Sequence, residues 1–265
     1  MPSKQPLKIV VFDLDETLGY FTELGIFWDA LEKFYGHNLF SDKFIEVMDT
    51  FPEFFRPNIL NIVDFIHSKK TCHQIVLYTN NQGPKSWVKM ISEYFNHKLG
   101  YEVFDRLICA YKVNGRQIEP KRTSHDKSTK DLFSILDMSP TTEVCFVDDL
   151  YHPLMDKENV SYINIKPYRD SIPFEEMATR YYNQVMYKNN ANVSELKFVD
   201  FIVSYMSQYK YMVVKKSKEE EKTDIIVSKK LLSHLADFLK PERKNALTRK
   251  KRLRRIKSMR QMATK

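Results

Sequence analysis

Cysteine is scarce in this sequence, and long apolar runs and an apolar leader are missing. The three cysteines are an odd count, and Cys109 and Cys145 lie within apolar runs typical of buried strands. This usage is typical of reduced thiols packed inside an intracellular protein. No apolar run approaches the ~18 residues of a membrane-spanning helix, and residues 1–6 hold no signal-peptide core. The sequence therefore predicts an intracellular protein, nuclear or cytoplasmic, without a transmembrane segment.

The formal net charge of +8 is distributed unevenly along the chain. Residues 241–265 hold eleven Lys or Arg and one acid, whereas residues 1–240 hold 31 bases and 33 acids. The tail, with its bases from Arg249 to Arg260, is open to three interpretations: a solvated end, a nucleic-acid-binding or nuclear-import segment, or a basic amphipathic helix on an anionic membrane. No aromatic residue interleaves these bases, which argues against a base-stacking platform for single strands.

The rest of the chain alternates between apolar runs and helical patterns. With 265 residues, 43% of them apolar, the chain can form one α/β domain plus an appendage. Strands are predicted at residues 8–12, 74–78, 107–111, 144–147 and 162–165, and helices are predicted to open at 56, 84 and 128. Strict alternation of strands and helices predicts an α/β fold with a doubly wound parallel sheet of about five strands.

An insertion after the first strand and the C-terminal part of the chain lie outside this alternating pattern. Residues 19–55 have the spacing of two short helices, inserted after the first strand, which either overhang the site as a lid or pack on the core. Amphipathic helices at 194–212 and 224–240 are joined by a charged stretch, 215–222, interpreted as an exposed loop or hinge. The predicted organisation is a core at 1–180, a helical extension at 181–240 and a disordered basic tail at 241–265.

Polar side chains follow three of the predicted strands at the point where each ends. Asp13 and Asp15 follow the first strand, and residues i and i+2 of an extended chain point to the same side, so their carboxylates project together. Two such carboxylates repel unless a cation or a shared proton intervenes. The other polar residues are a Thr-Asn pair after the second strand and an acidic pair after the fourth: Thr79, Asn80, Asp148 and Asp149. Open α/β sheets bind ligands at the carboxyl ends of their strands, so these residues predict the active site.

Asp-Leu-Asp-Glu-Thr-Leu at residues 13–18 resembles the first motif of the haloacid dehalogenase (HAD) superfamily. The closest resemblance is to the branch of carboxy-terminal-domain phosphatases and LIM-interactor-interacting factors. The further motifs of the superfamily are a Ser or Thr after a strand, a Lys at a helix start and an acidic pair after another strand. They are matched in the same order, over about residues 7–167. The resemblance implies a central first strand flanked by the two strands that carry the second and fourth motifs.

This resemblance also implies a chemistry, which is Mg²⁺-dependent hydrolysis of a phosphomonoester. Asp13 would attack phosphorus to form an aspartyl-phosphate, while Asp15 would protonate the leaving oxygen and then activate water. Thr79 and Asn80 would donate hydrogen bonds to phosphate oxygens. The implied metal ligands are carboxylates, the hard donors that Mg²⁺ prefers: Asp13, Asp15, Asp148 and Asp149.

A lysine should complete the site as a point charge on the phosphoryl oxygens. Lys127 is favoured because it stands just before Ser128, the predicted helix cap. Lys130 is the alternative, since Lys130-Asp131-Leu132 is similar to the tripeptide of this motif in small carboxy-terminal-domain phosphatases. Both lysines therefore remain candidates at this point.

The first motif favours phosphoserine or phosphothreonine in a protein as the substrate. The Asp-Asp pair, where that branch has Asp-Asn, and the insertion at 19–55 are departures from it, and Asp-Asp is closer to small-molecule phosphatases. Two alternatives therefore stand beside a protein phosphatase. One is a phosphatase for nucleic-acid ends or small phosphate esters, and the other is a binding protein that has kept the fold, lost turnover and acts through its basic tail.

Overall fold

The computed structural model of this protein describes residues 7–37, 39, 41–83, 85–188, 193–213 and 216–241. Within these residues are seven strands and eight α-helices. The strands are β1 (Lys8–Phe12), β2 (Gln74–Tyr78), β3 (Arg106–Ile108), β4 (Lys112–Val113), β5 (Arg116–Gln117), β6 (Glu143–Asp148) and β7 (Val160–Asn164). The helices are α1 (Thr22–Tyr35), α2 (Ser41–Thr50), α3 (Ile59–His67), α4 (Lys85–Leu99), α5 (Thr129–Leu136), α6 (Phe174–Tyr181), α7 (Glu195–Met206) and α8 (Lys218–Phe238).

Five strands form one parallel sheet in the order β3-β2-β1-β6-β7. The predicted parallel sheet of about five strands is confirmed, with β1 at its centre. Phe12, the last residue of β1, is level with Leu77 of β2 and Val147 of β6. The polar residues that follow these three strands therefore emerge at one edge of the sheet.

The sheet is covered on both faces, which explains why β1 is apolar at successive positions rather than at alternate ones. Val10 and Phe12 point into a large core shared with α3 and α4, whereas Ile9 and Val11 point into a smaller core shared with α5. Every residue of β1 is buried. Such a strand can lie only in the middle of a sandwich of helices.

The order of the strands reverses at β1. From β1 the chain passes through α3 to β2 and through α4 to β3, moving toward one edge, and then crosses by α5 on the opposite face to β6. β2 and β6 thus lie on either side of β1. Crevices at such switch points, outside the carboxyl ends of the strands, are where open α/β sheets bind ligands.

The predicted alternation of strands and helices holds from β1 to β6, since α5 lies between β3 and β6, and fails between β6 and β7. β3 is followed by the β4–β5 hairpin, whose turn residues Asn114 and Gly115 both have positive φ, as two-residue hairpin turns require. β6 reaches β7 through a single 3₁₀ turn, Pro153–Met155. The helix predicted to open at 56 begins instead at Ile59, because Asn58 has a positive φ of 65°, which a right-handed helix excludes.

Residues 19–55 contain the two predicted helices, α1 and α2, and both pack into the large core. Trp28 of α1 meets Phe44 of α2 edge to face, with ring centroids 5.2 Å apart, and Phe44 meets Trp87 of α4 at the same distance. Gly19 pairs with both Asp15 and Phe55, so the two ends of the segment meet beside the first motif. Of the two alternatives for this segment, these contacts support packing on the core.

The C-terminal helices also belong to the large core. Buried residues of α6, α7 and α8 lie in the same cluster as those of β1, and the Lys8 ammonium donates to the carbonyls of Phe238 and Lys240 at the end of α8. The predicted boundary at residue 180 falls inside α6, which continues into a π turn at Tyr182–Met186. The extension is therefore packed on the sheet domain along its described length.

The stretch predicted as an exposed loop or hinge at 215–222 is, over its described residues 216–222, the cap and first turn of α8, and residues 217–222 are exposed as predicted. Ser217 caps α8 through a capping box with Glu220, and acids in the first helical turn are favourable near the positive end of the helix dipole. Lys216, with a side chain only 12% exposed, bridges Asp170 and Asp224. The charge run is the start of a helix rather than a hinge.

Within the described residues no helix has the length and apolar character needed to cross a membrane. The predicted basic tail lies outside the described residues from 242 onward.

Candidate active site

The ends of β1, β2 and β6 bring most of the predicted site residues together. Asp13 follows β1 directly, and its backbone N–H donates to the carbonyl of Val147 on β6 at 2.9 Å. Thr79 follows β2, and Asp148 is the last residue of β6. All three side chains are buried, with 7%, 1% and 1% of their residue surface exposed. Buried carboxylates need partners, so their contacts define the site.

Lys127 supplies the main cationic partner. Its Nζ contacts Asp13 Oδ1 and donates to Asp148 Oδ2 at 2.7 Å. The structure therefore brings Lys127, and not Lys130, to the candidate site, because Ser128 caps α5 and starts the helix with Lys127 facing the sheet and Lys130 exposed to solvent. Burial opposes protonation of Lys127, but the two carboxylates outweigh it and raise the pKa of the ammonium.

Three carboxylates converge around this lysine. One oxygen from each of Asp13, Asp148 and Asp149 lies within 4.8 Å of the others. Burial raises the pKa of Asp13 to about 8, against the opposing attraction of Lys127. Burial and the neighbouring Asp148 raise the pKa of Asp149 to about 6. Burial also opposes ionisation of Asp148, but its contacts with His152 and Lys127 prevail and lower its pKa. Lys127 contacts Asp13 and Asp148, whereas Asp149 is bonded to Thr17. When all three carboxylates are ionised, their charge exceeds that of the one ammonium, and a divalent cation would neutralise the excess.

Asp15 stands apart from this group. Its Oδ2 accepts a hydrogen bond of 2.8 Å from the Asn81 side chain, whose own Oδ1 accepts from the N–H of Gly83. Burial raises the pKa of Asp15, which favours the protonated acid. The prediction that the Asp15 carboxylate is a metal ligand is not supported, because this carboxylate lies outside the group of three and is held by Asn81. Its position suits proton transfer better than metal binding.

Thr79 and Asn80, the predicted phosphate donors, occupy the tip of β2. The Thr79 hydroxyl oxygen accepts from the N–H of Asn81 at 2.9 Å, which leaves its proton available to another acceptor. The Asn80 side-chain oxygen is buried and has no hydrogen-bond partner among the described residues. The Thr79 proton can be donated to a phosphate oxygen, whereas the Asn80 oxygen can only accept, so it does not support the predicted role of Asn80 as a phosphate donor.

Thr17, the last residue of the Asp-x-Asp-x-Thr motif, holds Asp149 of the acidic pair by two hydrogen bonds. Its hydroxyl donates to Asp149 Oδ1 and accepts from the Asp149 N–H, both at 3.2 Å. The buried Arg56 guanidinium donates to the carbonyls of Thr17 at 2.6 Å and of Glu16 and Lys166 at 2.7 and 2.8 Å. Arg56 thereby fixes the loop that carries Asp15 and Thr17, a role that sequence reasoning missed.

Arg122 was also missed by sequence reasoning, and it orders the chain segment that leads to Lys127. Its buried guanidinium donates to the carbonyls of Thr79, Cys109 and His125 at 3.1, 3.0 and 2.9 Å, and it lies 4.9 Å from the Tyr78 ring centroid. The carbonyls belong to the tips of β2 and β3 and to the segment that precedes Lys127. A single charged group therefore ties three separate pieces of chain together. Its location in a polar loop gave no sequence signal of burial.

His152 and Asp131 are two further side chains that the sequence did not single out. His152 Nε2 lies 3.3 Å from Asp148 Oδ2 and is itself buried. Asp131 accepts from the N–H and hydroxyl of Thr123 at 2.9 Å, which ties the loop before Lys127 to the first turn of α5. A histidine four residues after an aspartate, just beyond the end of a predicted strand, is a signal that could have pointed to His152.

No family model, curated protein or solved structure matches this chain. The resemblance to HAD phosphatases therefore rests on the motifs and their arrangement. That arrangement offers a buried carboxylate nucleophile, a second carboxyl biased toward its protonated form, a fixed ammonium and a group of oxygens suited to a hard divalent cation. Substitution at a phosphoryl group needs parts of these kinds.

Proposed function

We propose that this protein is a HAD-like, Mg²⁺-dependent phosphomonoesterase that acts through an aspartyl-phosphate on phosphoserine or phosphothreonine of a protein. The observation that carries the proposal is the contact of one buried lysine, Lys127, with both Asp13 and Asp148. Asp15 lies next to this group, and its carboxyl is hydrogen-bonded to Asn81 instead. A nucleophile, an acid and positive charge are what phosphoester hydrolysis needs, because the phosphorus is shielded by negative oxygens.

In the first half of the reaction, an Asp13 oxygen forms a bond to phosphorus while the bond from phosphorus to the leaving oxygen breaks. The Asp15 carboxyl, whose pKa burial raises, transfers its proton to that leaving oxygen. Lys127 stabilises the negative charge of the phosphoryl oxygens, and Thr79 donates a hydrogen bond to one of them. Asn81 keeps Asp15 aimed at the leaving group.

In the second half, Asp15, now ionised, takes a proton from water as the water oxygen bonds to phosphorus. The bond between phosphorus and Asp13 breaks, inorganic phosphate leaves, and Asp15 is again protonated. The same residue thus serves as acid and then as base, which requires one carboxyl close to both the leaving oxygen and the attacking water.

Asp13, Asp148 and Asp149 would hold the metal. Their carboxylate oxygens are the donors that Mg²⁺ prefers, and a bound cation would favour the ionised forms of Asp13 and Asp149, whose pKa values burial raises. Bound Mg²⁺ would supply charge that favours ionised Asp13 and offsets the charge of an approaching phosphate. Thr17, by fixing Asp149, and Lys127, by contacting the other two carboxylates, hold the three side chains in place.

Hydrolysis of a generic aryl phosphate, with Mg²⁺ and with excess chelator, tests the proposal. We expect metal-dependent turnover that Asp13→Asn abolishes and that Lys127→Met lowers by about a hundredfold or more. Lys130→Met is the matched control, because Lys130 is exposed only three residues away and should leave turnover unchanged. An acid-quenched reaction should yield phosphoenzyme that hydroxylamine cleaves, as expected of an acyl phosphate.

Two results would contradict the proposal. One is the absence of turnover from wild-type protein whose circular dichroism shows an intact fold, which would favour a binding protein that has kept the fold. The other is turnover that survives Asp13→Asn. Turnover of phosphopeptides, compared with that of oligonucleotides carrying 3′- or 5′-phosphates, separates a protein phosphatase from one acting on nucleic-acid ends.

A further inference from the structure

A ridge of exposed apolar side chains begins immediately after the acidic pair. Leu150, Tyr151 and Leu154 are 63%, 57% and 46% exposed, and these three residues are called the apolar ridge below. The N–H of Leu150 donates to Asp148 Oδ1 at 2.9 Å, so the ridge is joined directly to one of the candidate metal ligands. Three large apolar side chains exposed within five residues of the chain, beside a candidate active site, differ from the single scattered ones that are normal on a protein surface.

The ridge is held in a fixed shape by the strand next to it. The hydroxyl of Tyr162, on β7, donates to the Leu150 carbonyl at 2.6 Å and accepts from the His152 N–H at 2.8 Å. The ring of Tyr151 stacks on the ring of Tyr162, with centroids 5.6 Å apart and an angle of 17° between their planes. A loop ordered before binding loses little conformational entropy when a partner contacts it. The backbone of the ridge and the Tyr151 ring are therefore ordered before a partner binds.

The charged residues of the segment that carries the ridge indicate which kind of partner suits it. Residues 148–156 contain three Asp and no Lys or Arg. Proteins that bind nucleic acid neutralise its phosphates with Lys and Arg, so an acidic segment disfavours a polynucleotide. Leucine and tyrosine side chains next to a phosphate site instead suit a polypeptide that carries an apolar residue close to its phosphorylated residue.

We propose that the apolar ridge binds an apolar side chain next to the phosphoserine or phosphothreonine of the substrate polypeptide. This inference rests on the proposed function, because it assigns a substrate preference to the same site. It goes further by naming the residues that select the substrate and the kind of sequence selected. Leu150 and Leu154 provide the contact, and Tyr162 provides the support.

The experiment compares two phosphoserine peptides that differ only in having Leu or Asn on both sides of the phosphoserine. For the wild-type chain we expect kcat/KM to be about tenfold higher for the Leu peptide, as partial burial of one or two leucines would give. In the Leu150→Ser/Leu154→Ser variant this ratio should fall to within about twofold of unity. The Asn peptide, assayed with the same variant, is the internal reference for any general loss of activity.

Leu196→Ser is the matched control variant. Leu196 lies on α7 and is 70% exposed, so its replacement removes a similar apolar side chain from another surface, and the peptide ratio should stay at its wild-type value. Equal use of both peptides by wild-type protein, or a ratio unaffected by the double variant, would overturn this inference alone. A preference for phosphorylated oligonucleotides over both peptides would also overturn it. Absence of turnover with every phosphoester would overturn the proposed function and this inference together.

Discussion

Replacement of Arg122 by methionine should destabilise the protein and slow its reaction, although Arg122 is not expected to touch the substrate. The buried guanidinium is the common donor to the carbonyls of Thr79, Cys109 and His125. Methionine fills much of the same volume but donates nothing, so three carbonyls lose the hydrogen bond from this donor. The segment that leads from His125 to Lys127 also loses its attachment to the sheet.

The magnitude follows from these three hydrogen bonds. Each bond to a charged donor contributes about 1.5–3 kcal/mol, so the three together give roughly 4.5–9 kcal/mol. Burying the charge costs several kcal/mol, which the variant recovers. The expected net decrease in the free energy of unfolding is therefore about 3 kcal/mol. A lysine at this position keeps the charge but cannot match the planar fork of arginine, so Arg122→Lys should fall between the wild type and Arg122→Met.

Urea unfolding followed by circular dichroism would measure these changes. Arg116→Met is the control, since Arg116 lies exposed on β5 and its replacement should change the free energy of unfolding by less than about 0.5 kcal/mol. At a temperature where Arg122→Met is folded, kcat for an aryl phosphate should fall by about tenfold to a hundredfold, because Lys127 is displaced. A variant as stable as the wild type would refute the energetic reasoning, and full activity in the folded variant would refute the role in placing Lys127.

Three further predictions follow from the structure. Asn81→Ala, which frees Asp15, should lower kcat by about tenfold for an alkyl phosphate and much less for an aryl phosphate, because a good leaving group needs little proton transfer; equal losses would contradict the orienting role. Gly19→Ala should cost about 1–3 kcal/mol in urea unfolding, because the new methyl group would collide with the Phe54 carbonyl; a neutral result would contradict it. Burial raises the pKa of the Glu23 carboxyl from 4.5 to about 8. Between pH 4.5 and pH 8 this carboxyl therefore ionises in the unfolded chain but stays protonated in the folded protein. Stability should fall across that window by at most about 4 kcal/mol, and Glu23→Gln should flatten this dependence of melting on pH; an unchanged slope would show that Glu23 is not its source.

Much of the sheet could be predicted from the sequence because its strands are apolar on both faces. The predicted limits of β1 and β2, at 8–12 and 74–78, agree with the structure. Patterns of this kind report burial, which is what a central parallel strand requires. The predictions failed at two helix starts: the helix expected from 56 begins at Ile59, after Asn58 in the left-handed conformation, and the charged stretch before α8 is capped as a helix rather than forming a loop.

The candidate site was predictable in part for a related reason. Strand tips can be read from the sequence, so Asp13, Thr79 and Asp148 were predicted together, and the structure places them together. Asn81 and Arg122 could not be recognised, because their role depends on partners far away in sequence. Asn81 binds a carboxyl 66 residues distant, and Arg122 binds a carbonyl 43 residues distant.

The sequence by itself determined a parallel sheet, the carboxylates at its edge and the kind of chemistry that those residue types allow, because strand periodicity and residue chemistry are local properties. Only the tertiary structure decided between the two lysines. Lys127 and Lys130 are nearly equivalent in the chain, but the cap at Ser128 directs one toward Asp13, 114 residues away, and the other into solvent. That choice depends on the direction in which a helix leaves its first turn, which no local pattern records.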